Sequence, residues 1–277
     1  MMKFANAPVS YGVFGDLTVE GATTTAQLLR TMATEGYHGS ELGPPGFFGE
    51  IPEMVESFTA AGLAAVGAYV PLNTQGAADV LERDLERMRI TFDEIQAVNP
   101  GALVILADEG NEELLRSPRK DPEQSLRGDE WLQLVAVVTN AAEEARARGL
   151  EVSFHPHVST FVELPDEIER LLAETDLSLT YDIGHVVLAG GDGVELFLRW
   201  RDRINHVHIK DVRVAVLENA RANNLDNFDR WVVVEQDRAP LTVASLPAVL
   251  ADQAANLRWL ETHLGSAPTI TTPSTTL

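Results

Sequence analysis

The sequence contains no cysteine, which excludes disulfide bonds, thiolate zinc sites and cysteine nucleophiles, so any metal would have to be held by His, Asp and Glu. It also lacks any run of about 18 apolar residues, and its opening, Met1-Met-Lys-Phe-Ala-Asn-Ala-Pro8, has no apolar stretch of the kind a secretory signal carries. A soluble, cytoplasmic chain is the expectation. Basic residues are scarce: 21 Lys and Arg against 42 Asp and Glu leave a net charge of −21 at pH 7. Nucleic acids and anionic membranes attract a positive field, so neither is an expected partner. No helix opens on a GxGxxG or Walker signature, which weighs against dinucleotide and nucleotide binding.

What is present is an ordinary globular composition, 45% hydrophobic and 23% charged, in a chain of 277 residues. That length suits one α/β barrel of about 250 residues or two smaller domains. The pattern alternates. Phe4–Val9 reads as a strand and Thr23–Glu35 as a helix, with Leu28, Leu29 and Met32 at helical spacing and Gly36 as its stop. His38–Leu42, Leu63–Val70 and the wholly apolar Ala102–Ala107 follow as strands, separated by helices over Ile51–Ala61 and Ala77–Val98. A polar loop containing Pro118 and Pro122 leads to a helix over Trp131–Arg148.

The second half continues with strands Glu151–His155, Leu177–Asp182, Asn205–Lys210 and Trp231–Gln236, and with helices Pro165–Ala173, Val194–Arg201 and Ala244–Leu264. Eight strands in alternation favour a closed (βα)8 TIM barrel over an open doubly wound sheet, which shares the local pattern. Residues 1–265 would form that single domain, and Ser266–Leu277, rich in Thr, Ser and Pro, a flexible tail.

In such a barrel the residues leaving the strands at their C-terminal ends line one catalytic rim. The stretch Leu177–Asp211 supplies two such ends, Asp182-Ile-Gly-His185 and His206-Val-His-Ile-Lys-Asp211. Strand five adds His155 and His157, and strand eight adds Glu235 and Asp237. A carboxylate and imidazole set of this kind suits Mn²⁺, Co²⁺, Fe²⁺, Mg²⁺ or Zn²⁺. Asp182 and His208 end apolar strands, where a buried carboxylate without a cation is costly, so both read as metal ligands.

Glu235, after Trp231-Val-Val-Val, is a ligand or the partner of Arg238 or Lys210. His155 and His157 share a strand face by period two, so one can bind metal while the other meets substrate. His185 is a ligand, a general acid or an orienting group, with acid/base work favoured. Lys210 either stabilises an oxyanion or pairs with Asp211. Glu41, before Gly43-Pro-Pro-Gly46, either reaches substrate hydroxyls or caps its loop. His38 and His263 read as ordinary structural histidines.

The runs Phe4-Ala-Asn-Ala-Pro-Val-Ser10, Ser40-Glu-Leu-Gly-Pro44, Val66-Gly-Ala-Tyr-Val-Pro-Leu72, His155-Pro-His-Val-Ser-Thr-Phe-Val-Glu163, Asp182-Ile-Gly-His185, His206–Asp211 and Val232-Val-Val-Glu-Gln-Asp237 together resemble the sugar phosphate isomerase/epimerase-like, or xylose isomerase-like, barrels. Within that group the chain is most similar to the inosose dehydratases, which dehydrate 2-keto-myo-inositol. The resemblance implies a metal-dependent lyase of myo-inositol catabolism that holds Mn²⁺ or Co²⁺ on Asp182, His208, Glu235 and His155. His185, His157 and Glu163 would share the proton transfers, Lys210 would steady the oxyanion, and Glu41 and Asp237 would contact substrate. A ketose isomerase or epimerase could use the same site, and so could a non-catalytic carbohydrate-binding barrel. The partner in each case is a small polyhydroxylated ketone or sugar, with self-association into a homo-oligomer compatible with it. One departure stands out: the connection between His208 and Glu235 is shorter than in the dehydratases.

Overall fold

The fold is taken from a computed structural model, which describes residues 3–11, 13, 24–117, 120–210, 255 and 258. Within them run β1 (Ala5–Asn6), α1 (Thr25–Glu35), β2 (Gly39–Leu42), α2 (Ile51–Ala61), β3 (Ala64–Leu72), α3 (Ala78–Val98), β4 (Leu103–Asp108) and α4 (Glu112–Arg116). There follow α5 (Gly128–Ala147), β5 (Glu151–Phe154), α6 (Pro165–Glu174), β6 (Ser178–Asp182), α7 (Ile183–Leu188), α8 (Gly193–Trp200) and β7 (Ile204–His208). The seven strands make one sheet in sequential order, and each neighbouring pair is parallel.

The sheet is curled. In a flat sheet β2 and β7 would stand five strand spacings apart, about 24 Å, yet Glu41 of β2 reaches His206 and His208 of β7 at 2.8 Å each. Only a sheet bent around on itself brings those strands together, and this is the wall of a TIM barrel. The expected eighth strand Trp231–Gln236, the short connection after Lys210, the tail and, apart from Ala255 and Arg258, the helix Ala244–Leu264 lie outside the described residues.

The helices form where capping and an apolar stripe coincide. At α1 the Thr24 hydroxyl accepts from Gln27 N–H while the Gln27 side chain accepts from Thr24 N–H, a reciprocal cap worth about 1 kcal/mol. The helix buries Leu28, Leu29 and Met32 and stops at Gly36 in the left-handed region. Met88, Phe92 and Ile95 form the buried stripe of α3, and all six residues of β4 are buried, as a strand covered on both faces requires.

Three local expectations are corrected. The first strand is only Ala5–Asn6, because Pro8 opens a 3-10 turn, Pro8–Tyr11, that takes the chain out of the sheet. The polar loop after β4 contains the helical turns Glu112–Arg116 and Pro122–Gln124, each nucleated by an Asn or Asp cap rather than by apolar periodicity. The segment between β6 and β7 is two helices. Gly184 lies within the first of them and has no room for a side chain, since a Cβ there would stand 2.7 Å from Cβ of Lys210.

Gly110, just past β4, has φ +64°, and a Cβ on it would collide with the Ser159 carbonyl oxygen. Gly110→Ala therefore combines a disfavoured backbone region with overpacking and should cost about 2 kcal/mol or more. Urea unfolding measures this; an unchanged midpoint would mean that the loop yields freely. Among the described residues no helix is long and apolar enough to cross a membrane.

Candidate metal centre and active site

The rim residues of β5, β6 and β7 converge. Asp182, the last residue of β6, is also the N-cap of α7, its Oδ1 accepting the His185 N–H at 3.0 Å. That bond fixes the carboxylate and leaves Oδ2 pointing into a buried cluster. Oδ2 lies 3.5 Å from His155 Nε2, 3.5 Å from His208 Nδ1 and 3.0 Å from Lys210 Nζ. Although these are ion-pair distances, none has hydrogen-bond geometry: Asp182 Oδ2, His155 Nε2 and His208 Nδ1 are all buried without a hydrogen-bond partner.

The two imidazole nitrogens have no hydrogen bond and the carboxylate oxygen has only its ion pair with Lys210, a costly state for buried polar atoms that a metal ion would relieve. Asp182, His155 and His208 each offer a ligand atom, and these atoms lie within 4.8 Å of one another. Ligands bound to one ion at about 2.1 Å stand roughly 3.0–3.4 Å apart, close to the 3.5 Å that separates Asp182 Oδ2 from each of the two histidine nitrogens. The donor set fits a divalent metal.

Glu41 organises the other side of His208. Its Oε1 accepts from His208 Nε2 and from His206 Nε2, both at 2.8 Å. Burial drives the Glu41 carboxyl upward, but His208 and His206 outweigh it and hold it well below the usual carboxylate range. Asp182 behaves alike, burial being overcome by His185, Lys210, His155 and His208. For His208 burial acts downward while Glu41 and Asp182 act upward, and the result is about 9. Burial pushes His155 down to about 3. Burial and Lys210 push His157 down to about 4, and burial holds His185 well below the ordinary imidazole range.

The remaining rings surround this centre. His157 lies 3.9 Å from His185 between ring centroids and 5.5 Å from His155; the two histidines lie just beyond β5, which ends at Phe154. Tyr69 of β3 meets His155 edge-on at 6.0 Å. Lys210 Nζ stands 3.1 Å from His185 Nε2 as well as beside Asp182. Of the sequence candidates, His155, His157, Asp182, His185, His208 and Lys210 are together, with Glu41 joined through His208. Glu235 and Asp237 lie outside the described residues, as does Asp211.

Glu163 has a different setting. Its carboxylate accepts the Ser159 N–H at 2.8 Å and so pins the loop that follows β5, where Ser159 has φ +64°. Beneath that loop, Lys120 Nζ donates to the carbonyls of Thr160 and Phe161 at 3.0 and 2.9 Å and pairs with Glu167 Oε1 at 2.6 Å. Asp108 accepts the Phe161 N–H at 2.6 Å. Sequence reasoning missed His206, whose signal was its place two residues before His208 on one strand face, and it missed Lys120 altogether. His38 is structural as expected, accepting the Phe4 N–H at 3.3 Å.

A profile of xylose isomerase-like TIM barrels matches residues 29–254. The inosose dehydratase of Geobacillus kaustophilus (strain HTA426) is 32% identical over 210 residues, spanning 73% of this chain and 67% of that one. The inosose dehydratase of Lacticaseibacillus casei is 30% identical over 260 residues, spanning 78% and 83%. Among solved structures, the apo 3-keto-D-glucoside 4-epimerase YcjR of E. coli superposes with a TM-score of 0.66 at 17% identity, covering 95% of this chain and all of that one (100%). The IOLI protein with a bound zinc atom superposes with a TM-score of 0.60 at 13% identity, covering 76% and 73%. On its sequence match and its curled parallel sheet, the chain belongs to the xylose isomerase-like TIM barrel family.

Proposed function

We propose that this protein is a metal-dependent hydro-lyase that dehydrates a cyclic polyol ketone of the 2-keto-myo-inositol type. The observation that carries the reading is the buried convergence of Asp182 Oδ2, His155 Nε2 and His208 Nδ1, all without hydrogen bonds, beside a neutral histidine pair and a lysine. The inosose dehydratases at about 30% identity support the substrate class. Asp182, His155 and His208 would hold the ion, with Glu235 as the further ligand; Mn²⁺ or Co²⁺ is the choice proposed. When bound, such an ion polarises a carbonyl and stabilises the negative charge that builds on it.

The side chains divide the proton work by their hydrogen bonds. His157 Nδ1 lies 2.8 Å from the Val158 carbonyl oxygen, which can only accept, so Nδ1 carries the hydrogen and Nε2 keeps a lone pair. A pKa of about 4 keeps this ring neutral at pH 7, ready to take the proton from the carbon next to the substrate carbonyl. Lys210 donates to His185 Nε2, so His185 is committed as an acceptor and serves to aim the ammonium. Lys210 can then steady the developing oxyanion and pass a proton to the departing hydroxide. Glu163 holds the loop that carries His157.

Incubation with 2-keto-myo-inositol, following the ultraviolet absorbance of a conjugated diketone, should give turnover that a chelator abolishes and added Mn²⁺ or Co²⁺ restores. An epimerase would use the same centre and return the proton to carbon, a reading favoured by the superposition on a 3-keto-D-glucoside 4-epimerase. A ketose panel assayed alongside separates the two. Interconversion of ketoses with no diketone from the inosose would reject the dehydratase.

A further inference from the structure

Glu41 sits at the second strand, far in sequence from the ligands, yet it is buried against β7 and touches two histidines with one oxygen. One carboxylate oxygen shared at 2.8 Å by two ring nitrogens serves both as acceptor, so Nε2 of His206 and of His208 carries a hydrogen. With Nε2 committed to Glu41, the one ring nitrogen of His208 left to offer a lone pair to an ion is Nδ1, the atom that faces Asp182 Oδ2 at 3.5 Å and has no hydrogen bond. We propose that Glu41 is a positioning residue of the metal centre: through its bond to His208 Nε2 it fixes that ring's orientation and tautomer and so presents Nδ1 as the ligand atom.

This rests on the metal-site reading above. Glu41 had two expected roles, substrate contact or loop cap, and the bonds of its Oε1 run instead to the two imidazoles of β7. A carboxylate behind a ligating histidine raises the basicity of the ligand nitrogen and removes the freedom of the ring to turn away, and losing such a partner typically weakens metal binding by about 10–100-fold. His206 belongs to the same device. By accepting from His206 as well, Glu41 Oε1 is held from two sides along one strand face, which fixes the carboxylate that in turn fixes His208. No other carboxylate contacts His208 Nε2 among the described residues.

Metal-free wild-type, Glu41→Gln and Glu41→Ala proteins are titrated with Mn²⁺ by calorimetry, and ¹⁵N-histidine samples are examined by ¹H–¹⁵N spectroscopy with and without Zn²⁺. The expected result is one ion per chain throughout, with Glu41→Ala binding about 10–100-fold more weakly. Glu41→Gln falls between, because its amide oxygen still accepts one bond without the charge. A downfield His208 Nε2–H signal is expected in the wild type and lost in Glu41→Ala. Unchanged affinity in Glu41→Ala overturns the proposal, since a substrate-contact residue would leave metal binding untouched. So does a wild type that takes up two ions and a variant that takes up one, for then Glu41 is itself a ligand. If the wild type binds no ion, the metal reading fails separately, and absence of the Nε2–H signal then overturns the role of Glu41 as well. Should Glu41→Ala not fold, Glu41→Gln carries the same comparisons.

Discussion

Asp182→Asn should remove the bound ion and lower turnover by about 1,000-fold or more, equivalent to roughly 4 kcal/mol of lost transition-state stabilisation. The substitution is chosen because the structure separates the two oxygens of this side chain. Oδ1 caps α7 through the His185 N–H, and an asparagine oxygen can make the same bond, so the helix and the fold should survive. Oδ2 is the atom shared by His155, His208 and Lys210. An amide there carries no charge, and its NH2 would turn donor hydrogens toward the place where a ligand oxygen is needed. Elemental analysis of the purified variant, with thermal unfolding as the control for folding, decides the matter. Stoichiometric metal in a folded Asp182→Asn protein would move the site elsewhere in the chain.

The parts of this arrangement that could be read in the sequence are those with a local signal. Leu103–Ala107 is apolar at every position, and Leu177-Ser-Leu-Thr-Tyr-Asp182 ends a strand on a carboxylate, so both the sheet and its rim were legible. Asp182 and His208 were named as ligands for that reason, His155 joined them through the family resemblance, and the structure brings the three together. What was not legible depends on distance along the chain. Glu41 and His208 are 167 residues apart, and nothing in a run reading Gly-Ser-Glu-Leu announces that its carboxylate will meet two imidazoles. His206 was passed over because one histidine of the pair sufficed for the ligand count. Lys120 was hidden differently: a lysine between Pro118 and Pro122 in a polar loop reads as solvated, and only the fold buries it.

The same burial explains how the rim is braced on the β5 side. His155 follows directly on β5, and His157 is tied back to the loop by its N–H to the Val162 carbonyl at 3.2 Å. Thr160 Oγ1 returns a bond to the His157 carbonyl at 2.7 Å. A loop that folds back on itself in this way must place its own peptide groups against the protein interior, where each needs a partner. Asp108, Lys120, Glu163 and Glu167 supply those partners from four different positions. The charged side chains therefore act at one remove from the candidate site, by fixing where the His157 ring can sit.

Lys120→Met is accordingly expected to destabilise the protein by about 3–5 kcal/mol, the usual consequence of leaving one member of a buried ion pair alone. Lys120 is 2% exposed and Glu167 6%, so water cannot replace the lost ammonium without opening the loop. Glu167 cannot simply swing away, because its Oε2 accepts from the N–H groups of Glu163 and Leu164 at 2.9 and 2.8 Å and so caps the start of α6. The variant also strands the Thr160 and Phe161 carbonyls, each of which loses its lysine donor. Pairing it with Glu167→Gln should recover part of the loss, since the uncompensated charge is gone while the amide oxygen can still cap α6. Urea unfolding of the two single variants and the double variant measures the coupling directly. Amide hydrogen exchange at residues 159–164 should rise in Lys120→Met before global unfolding does. A loss below about 1 kcal/mol, the level of a surface ion pair, would show that Lys120 does not clamp the loop.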